Sequence, residues 1–101
     1  MNFESLGLSR ELLIAIKKLG FSTPTEIQKM SIPDIMEGKD IIGESSTGSG
    51  KTLAFGCGIV EQVTPKDGLQ ALVLTPTREL AEQVKESLRQ ISNQKNLKVI
   101  P

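Results

Sequence analysis

Apolar positions along the chain follow two different rhythms. Leu12, Ile16 and Leu19 recur at three- and four-residue intervals, the spacing of one helix face, over residues 10–19. Ser9 stands where an N-cap belongs, and Gly20 where a helix stops. A second helix start reads from Thr23-Pro24-Thr25-Glu26, with Thr23 as cap, Pro24 at the first helical position and Glu26 closing a capping box. That helix should break before Pro33, and Gly38 should end the segment beyond the break. Residues 50–63 predict a third helix. Its Gly56 and Gly58 each cost about 1 kcal/mol against alanine, so either a neighbour approaches its backbone closely or the helix is weak. The longest helix should cover residues 77–92, with Leu80, Val84, Leu88 and Ile91 as its apolar stripe, charges opposite, and Arg78 four residues before Glu82.

The other rhythm is the short apolar run. Residues 40–44 (DIIGE) read as a buried strand, and residues 71–75 (ALVLT) are apolar without alternation, as in a parallel strand covered on both faces. Residues 97–100 begin a third such stretch, and residues 64–68 (TPKDG) form a turn. Strand–helix–strand–helix–strand implies right-handed crossovers and a parallel sheet with flanking helices, an α/β fold. With no internal repeat and no low-complexity linker, the chain divides only into units of one domain. These are a helical region over 1–38, strand–loop–helix over 39–63, strand–helix over 69–93, and the next strand from 97 to 101.

The sharpest chemical signal lies between the first strand and the third helix, in Gly48-Ser49-Gly50-Lys51-Thr52. Gly48 and Gly50 permit positive φ and let backbone amides come close to phosphate oxygens. The helix beyond the loop adds the partial positive charge of its N-terminus. Lys51 brings a full charge for the β- and γ-phosphates, and the Thr52 hydroxyl suits a bound magnesium ion. The strict phosphate-loop pattern asks for glycine at position 45, where this chain has Ser45.

Composition narrows the functions further. Twelve Lys and Arg balance twelve Asp and Glu, so overall charge does not drive nucleic-acid binding. Three phenylalanines, with no Trp or Tyr, argue against a base-stacking sheet. The absence of His removes imidazole catalysis and imidazole-dependent zinc sites. One cysteine, Cys57, forms no internal disulfide and reads as a small buried apolar residue in a reducing, cytoplasmic setting. No apolar run approaches membrane-spanning length, and the first residues lack a signal-peptide pattern.

Three segments together resemble the DEAD-box ATP-dependent RNA helicases. Residues 20–28 (GFSTPTEIQ) resemble the Q motif of that family, and residues 46–52 (STGSGKT) resemble its motif I. Residues 76–83 (PTRELAEQ) are similar to its motif Ia, and Phe3 stands 17 positions before Gly20, where the family carries an isolated aromatic. The resemblance implies a RecA-like P-loop NTPase fold of which these residues cover the first half of domain 1. It implies that ATP is bound by Phe3, Thr25 and Gln28 at the adenine and by Ser46, Thr47, Gly48, Ser49, Gly50, Lys51 and Thr52 at the phosphates. Lys51 and Thr52 would be the catalytic residues present, with Mg2+ on Thr52. Pro76, Thr77, Arg78 and Glu79 would contact the backbone of single-stranded or short duplex RNA, whatever its sequence. Taken singly, several of these have plainer readings. Phe3 fits an N-terminal core residue, Thr25 and Gln28 fit a helix start, and Thr77 fits an N-cap beside an Arg78–Glu82 surface pair.

Against the family pattern, Ser45 replaces a usual alanine, and Gly58 replaces a common proline, which should loosen the third helix. Motif II, the Ser-Ala-Thr motif and the second domain have no counterpart in these residues, so the 101-residue chain alone should be catalytically inactive. In the family's sheet the three strands here would be the first, second and third, no two of them neighbours. The chain is therefore expected to rearrange its strands, to self-associate, or to pair with the missing half. Another P-loop NTPase, such as a DNA helicase, and a non-catalytic nucleotide-binding fragment are the competing functions.

Overall fold

The structure is a computed structural model, and it describes residues 2–45 and 50–100. A single 3-10 turn at Phe3–Leu6 precedes four helices: α1 (Arg10–Lys18), α2 (Glu26–Met36), α3 (Lys51–Gln62) and α4 (Arg78–Ile91). Their ends obey local chemistry. The Ser9 hydroxyl accepts from the Leu12 amide at 3.3 Å at the start of α1. At its end Gly20, with φ of 89°, lets the Gly20 and Phe21 amides fold back onto the Lys17 and Ile16 carbonyls. Gly38 closes α2 by the same pair of bonds, to Ile35 and Asp34. Thr77 caps α4 through a 3.1 Å bond from the Leu80 amide.

Two expectations about α2 fail. Its cap is Thr25, not Thr23, and Gln28 closes the capping box in place of Glu26. The reason is tertiary. Gln28 can accept from the Thr25 amide with one end of its side chain and donate across to another helix with the other, which a glutamate cannot do. The helix also runs through Pro33 to Met36. Pro33 lacks the one N–H that would bond the Lys29 carbonyl, and burial of Ile32 in the core and contact of Ile35 with Gly58 of α3 hold the helix across that gap.

α3 is the centre of the packing, flanked by α2 on one side and α4 on the other, with α1 touching both α3 and α4. Leu53, Ala54, Cys57 and Val60 of α3 join Leu12, Ile16, Ile32, Leu88 and Ile91 in one core, closed at the N-terminal end by Phe3 and Leu6. Gly56 and Gly58 are the close approaches that their helix-breaking cost implied. A Cβ at Gly56 would lie 2.7 Å from the Ile91 Cδ1, and one at Gly58 would overlap the Ile35 Cγ2. Gly58 therefore permits the close contact of α3 with α2. The C-terminus of α3 is fixed as well. The Lys95 ammonium donates to the Val60 and Glu61 carbonyls, and the Glu61 carboxylate accepts from the Ser9 amide at 2.9 Å.

The expected parallel sheet is not formed among the described residues. No strand is present among the described residues: 40–44, 69–75 and 97–100 have no regular secondary structure, and no backbone–backbone hydrogen bond among the described residues joins them to another segment. Ile42 is 96% exposed, Leu72 76% and Leu74 84%, so the buried strand expected at 40–44 and the strand expected at 71–75 with both faces covered are corrected. Residues 71–75 alternate instead, with Ala71, Val73 and Thr75 half-buried and the two leucines outward. The physical reason is the absence of partners. A strand satisfies its backbone only through a neighbour, and non-adjacent strands offer one another none. In α4 the stripe holds at Val84, Leu88 and Ile91, while Leu80 lies half open. Glu82 pairs with Lys85, not with Arg78. Among the described residues, no helix is long and apolar enough to cross a membrane.

Two consequences can be measured. Gly58→Ala gains about 1 kcal/mol of helix propensity but overpacks a β-branched neighbour at a cost of about 1–3 kcal/mol. Urea unfolding should show net destabilisation, greater than for Gly56→Ala, whose clash falls on the flexible end of Ile91, and smaller in an Ile35→Ala background. Cys57 is fully buried, and burial, helped by the charge of Glu61, pushes its thiol up to about 12. An unfolded thiol ionises near 8.5, so the fold's preference for the neutral form is intact below that pH and is lost as pH rises towards 12. Between pH 9 and 11 wild type should therefore lose about 1.4 kcal/mol per pH unit more than Cys57→Ala. Parallel decline of the two proteins would mean that the thiol titrates freely in the folded state.

Candidate functional site

The site is built where the starts of α2 and α3 meet. Gln28 lies in the first turn of α2 and is 2% exposed. Its Oε1 accepts from the Thr25 amide at 2.8 Å, and its Nε2 donates to the Gly50 carbonyl at 3.2 Å. The same carbonyl accepts from the Ala54 amide at 3.2 Å, so one oxygen both begins α3 and receives the bond from α2. Gly50 has φ of 92°, and a Cβ there would overlap the Gln28 Nε2 and lie 3.1 Å from the Thr25 Oγ1. Glycine is thus required twice, for the left-handed backbone and for the space.

Lys51, the first residue of α3, is exposed and turns its ammonium back to the Ser45 carbonyl, 2.7 Å away. That bond spans the loop from its upstream to its downstream side. A carbonyl is a weaker partner for an ammonium than an anionic oxygen, so the contact leaves Lys51 ready to exchange it for phosphate. Thr52 is half-buried in the first turn of α3. Ser46, Thr47, Gly48 and Ser49 lie outside the described residues. The start of α3 therefore presents a helix N-terminus, a lysine and a hydroxyl around one short loop, a combination that suits a polyphosphate and a cation bound to it.

The structure brings Thr25, Gln28, Gly50 and Lys51 into one connected group, and it treats two other expectations differently. Phe3 is 3% exposed and belongs to the hydrophobic core, where the 3-10 turn packs it towards α2. An adenine grip by Gln28 would call on both ends of its amide, and both ends are engaged within the protein. Its second hydrogen and second lone pair are left for a ligand.

Pro76, Thr77, Arg78 and Glu79 are all exposed at the start of α4. The Thr77 hydroxyl serves as the helix cap and the Thr75 hydroxyl donates to the Thr77 carbonyl at 3.0 Å, which fixes the bend into the helix. Arg78 stands in the first turn, beside the positive end of the helix, an arrangement able to receive a phosphate. Sequence reasoning missed Glu61 and Lys95, which hold the far end of α3. Their partners lie 52 and about 35 positions away, and no local pattern announces such bonds.

Comparison with known proteins identifies the family. The profile of the DEAD/DEAH box helicase family matches residues 25–100. The ATP-dependent RNA helicase CshA of Limosilactobacillus reuteri is 48% identical over 100 residues, which is 98% of this chain and 20% of that protein. A DEAD box protein from the hyperthermophile Methanococcus jannaschii superposes with a TM-score of 0.89 at 40% identity, over 97% of this chain and 27% of that one. S. cerevisiae Dbp5 bound to RNA and ADP-BeF3 gives 0.87 at 36% identity, over 91% and 24%. The chain spans about a fifth of the length of the curated relative. Its helices are laid out as in these helicase domains, although the parallel sheet is not formed among the described residues. On the match of sequence over three quarters of its length, the chain belongs to the DEAD/DEAH box helicase family.

Proposed function

We propose that the chain is the ATP-binding portion of an RNA helicase that uses ATP binding and hydrolysis to unwind or remodel RNA. The observation that carries this reading is the Gln28 bridge, which ties the Q-motif helix to the residue that opens α3 and its phosphate loop. Residues 46–50 and Lys51 would receive the phosphates, and Thr52 would hold the magnesium ion through its hydroxyl. Magnesium-bound ATP supplies the cleavable phosphoanhydride. The contribution of this chain is to orient it and neutralise its charge. Thr25 and the remaining hydrogen-bonding capacity of Gln28 would favour adenine over guanine, whose edge presents the opposite pattern.

The exposed residues Pro76, Thr77, Arg78 and Glu79 would hold RNA by its backbone, without reading sequence. That Dbp5 was solved with RNA and ADP-BeF3 supports both classes of ligand for this chain. With zero net charge the 101 residues should bind RNA weakly and with strong salt dependence. They should also turn over ATP negligibly, since none of their carboxylates matches the family's motif II. A cytoplasmic setting suits the reduced, buried Cys57.

A fluorescent ADP analogue titrated with the protein should give saturable anisotropy, displaced by ATP but not by GTP. Lys51→Ala should abolish it while the helical circular dichroism is retained. Equal binding by Lys51→Ala, or equal displacement by GTP, would refute the site. A second variant tests the bridge. Gln28→Glu keeps the acceptor for the Thr25 amide but sets a carboxylate against the Gly50 carbonyl. It should cost about 1–3 kcal/mol of stability and weaken the analogue tenfold or more.

A further inference from the structure

The two ends of α3 are held unequally. At the N-terminal end, the Gln28 side chain supplies the bond from another helix, to the Gly50 carbonyl. At the C-terminal end, bonds converge from all three of the other helices. The Glu61 carboxylate accepts from the Ser9 amide at the cap of α1, at 2.9 Å. The Gln62 Nε2 donates to the Ile35 carbonyl in the last turn of α2, at 3.3 Å. From the turn that follows α4, the Lys95 ammonium donates to the Glu61 carbonyl at 3.0 Å and to the Val60 carbonyl beside it. We infer that Lys95 is a positioning residue for the nucleotide phosphates, aiming the N-terminus of α3 from the opposite end of the helix. The inference rests on the nucleotide reading of that N-terminus and adds the residue that sets its direction.

Three observations carry it. First, the Val60 and Glu61 carbonyls are among the last four of α3, which no amide of the helix reaches, and the Val63 amide goes to the Ile59 carbonyl instead. Val60 is 3% exposed, so water is a poor substitute. Lys95 serves both oxygens at once and sets its charge at the negative end of the helix dipole. Second, Lys95 stands on fixed ground. Its amide donates to the Ser92 carbonyl at 3.0 Å, the Ser92 hydroxyl donates to the Arg89 carbonyl at 3.3 Å, and Ser92 is buried. The hold on α3 is therefore exerted by α4 through a defined turn.

Third, the middle of α3 fixes distance better than angle. Gly56 and Gly58 let Ile91 and Ile35 come close, but a helix face without side chains has no ridge to resist rotation against its neighbours. The angle is left to the ends. The 12 residues of α3 make a rod about 18 Å long, so a rotation of about 10° about the glycines carries Lys51 roughly 1.5 Å. A shift of that size takes a hydrogen bond from good geometry to none. The phosphate end should feel it first, because the base end belongs to α2.

The test reads the affinity of the 101-residue protein for ribose-labelled fluorescent analogues of ADP and AMP, whose ratio isolates the contribution of the second phosphate. Lys95→Met keeps the apolar stem of the side chain and removes its donors. It should weaken the ADP analogue tenfold or more and the AMP analogue less than twofold. Lys95→Arg, which again donates to carbonyls, should restore the ADP analogue to within about threefold of wild type. A side chain that only stabilises the fold would lower both affinities by one factor, through the folded fraction alone. Without nucleotide, the side-chain amide resonances of Gln28 report on the Gly50 carbonyl that they contact. They should shift in Lys95→Met and return in Lys95→Arg. Should Lys95→Met lose its helical circular dichroism, Lys95→Gln, which keeps one donor group, is read by the same two measurements. Equal weakening of both analogues, or Gln28 resonances that do not move, would overturn the proposal. Absence of binding by the wild-type protein would overturn the nucleotide reading instead. Gln28 resonances that still moved would then leave Lys95 as the residue that aims α3.

Discussion

The close approach of α3 to α2 and α4 is the constraint on which the rest depends. Gly56 and Gly58 remove the side chains that would hold the helices apart, and Ile91 and Ile35 occupy the space they leave. The two glycines weaken α3 as an isolated helix, so its helicity must come from packing instead of propensity. Fixing α3 laterally by glycine contacts, and at its far end by Lys95 and Glu61, fixes the direction of its N-terminus. That N-terminus is where Lys51 and Thr52 stand. The buried face of α3 and its N-terminal end are thus set by one rigid body, with Cys57 fully buried at its centre.

Gln28 extends this constraint to α2. An amide has a donor and an acceptor within one planar group, and here the acceptor closes a capping box while the donor reaches the Gly50 carbonyl. Removing either bond would leave a buried polar group unsatisfied, at a cost larger than the net value of the bond itself. The bridge therefore makes the start of α2 and the residue that opens α3 mechanically dependent. A change in the position of Gly50 displaces Gln28, and displacement of Gln28 changes the reach of its free hydrogen and lone pair. Nucleotide contact at one end should be felt at the other without any large movement of the helices.

How far the sequence can be read depends on the range of each interaction. The four helices, the Ser9 and Thr77 caps and the stop at Gly20 depend on residues within one turn, and they are legible. The close contact at Gly56 and Gly58 is legible as a cost demanding an explanation, though not as a contact with Ile91 and Ile35. Local pattern favours Thr23 over Thr25 as the cap of α2 because the deciding partner, Gly50, lies 22 positions beyond Gln28. Phe3 is legible through its spacing to Gly20, while its burial belongs to the packing of the 3-10 turn. Residues 40–44 and 71–75 are legible as extended and apolar, while their burial is not, because burial of a strand belongs to the sheet and not to the segment.

The unequal fate of helices and strands also bears on the phosphate loop. Helices carry their hydrogen bonds internally, so the helical layer assembles around its core whether or not the sheet exists. Strands carry none, so residues 40–44 make no backbone pairing among the described residues, with Ile42 almost fully in water. The downstream side of the loop is anchored by α3 and Gln28. Upstream, the Lys51 ammonium reaches the Ser45 carbonyl, and Gly43 lies against Ile27. A phosphate that draws Lys51 away from Ser45 would release part of the anchorage on the very side that lacks a sheet. Binding then has to supply the order that neighbouring strands would otherwise provide, and the entropy of that ordering is subtracted from affinity. Pairing of the extended segments and tightness of the phosphate site are for this reason coupled quantities, linked through residues 40–45.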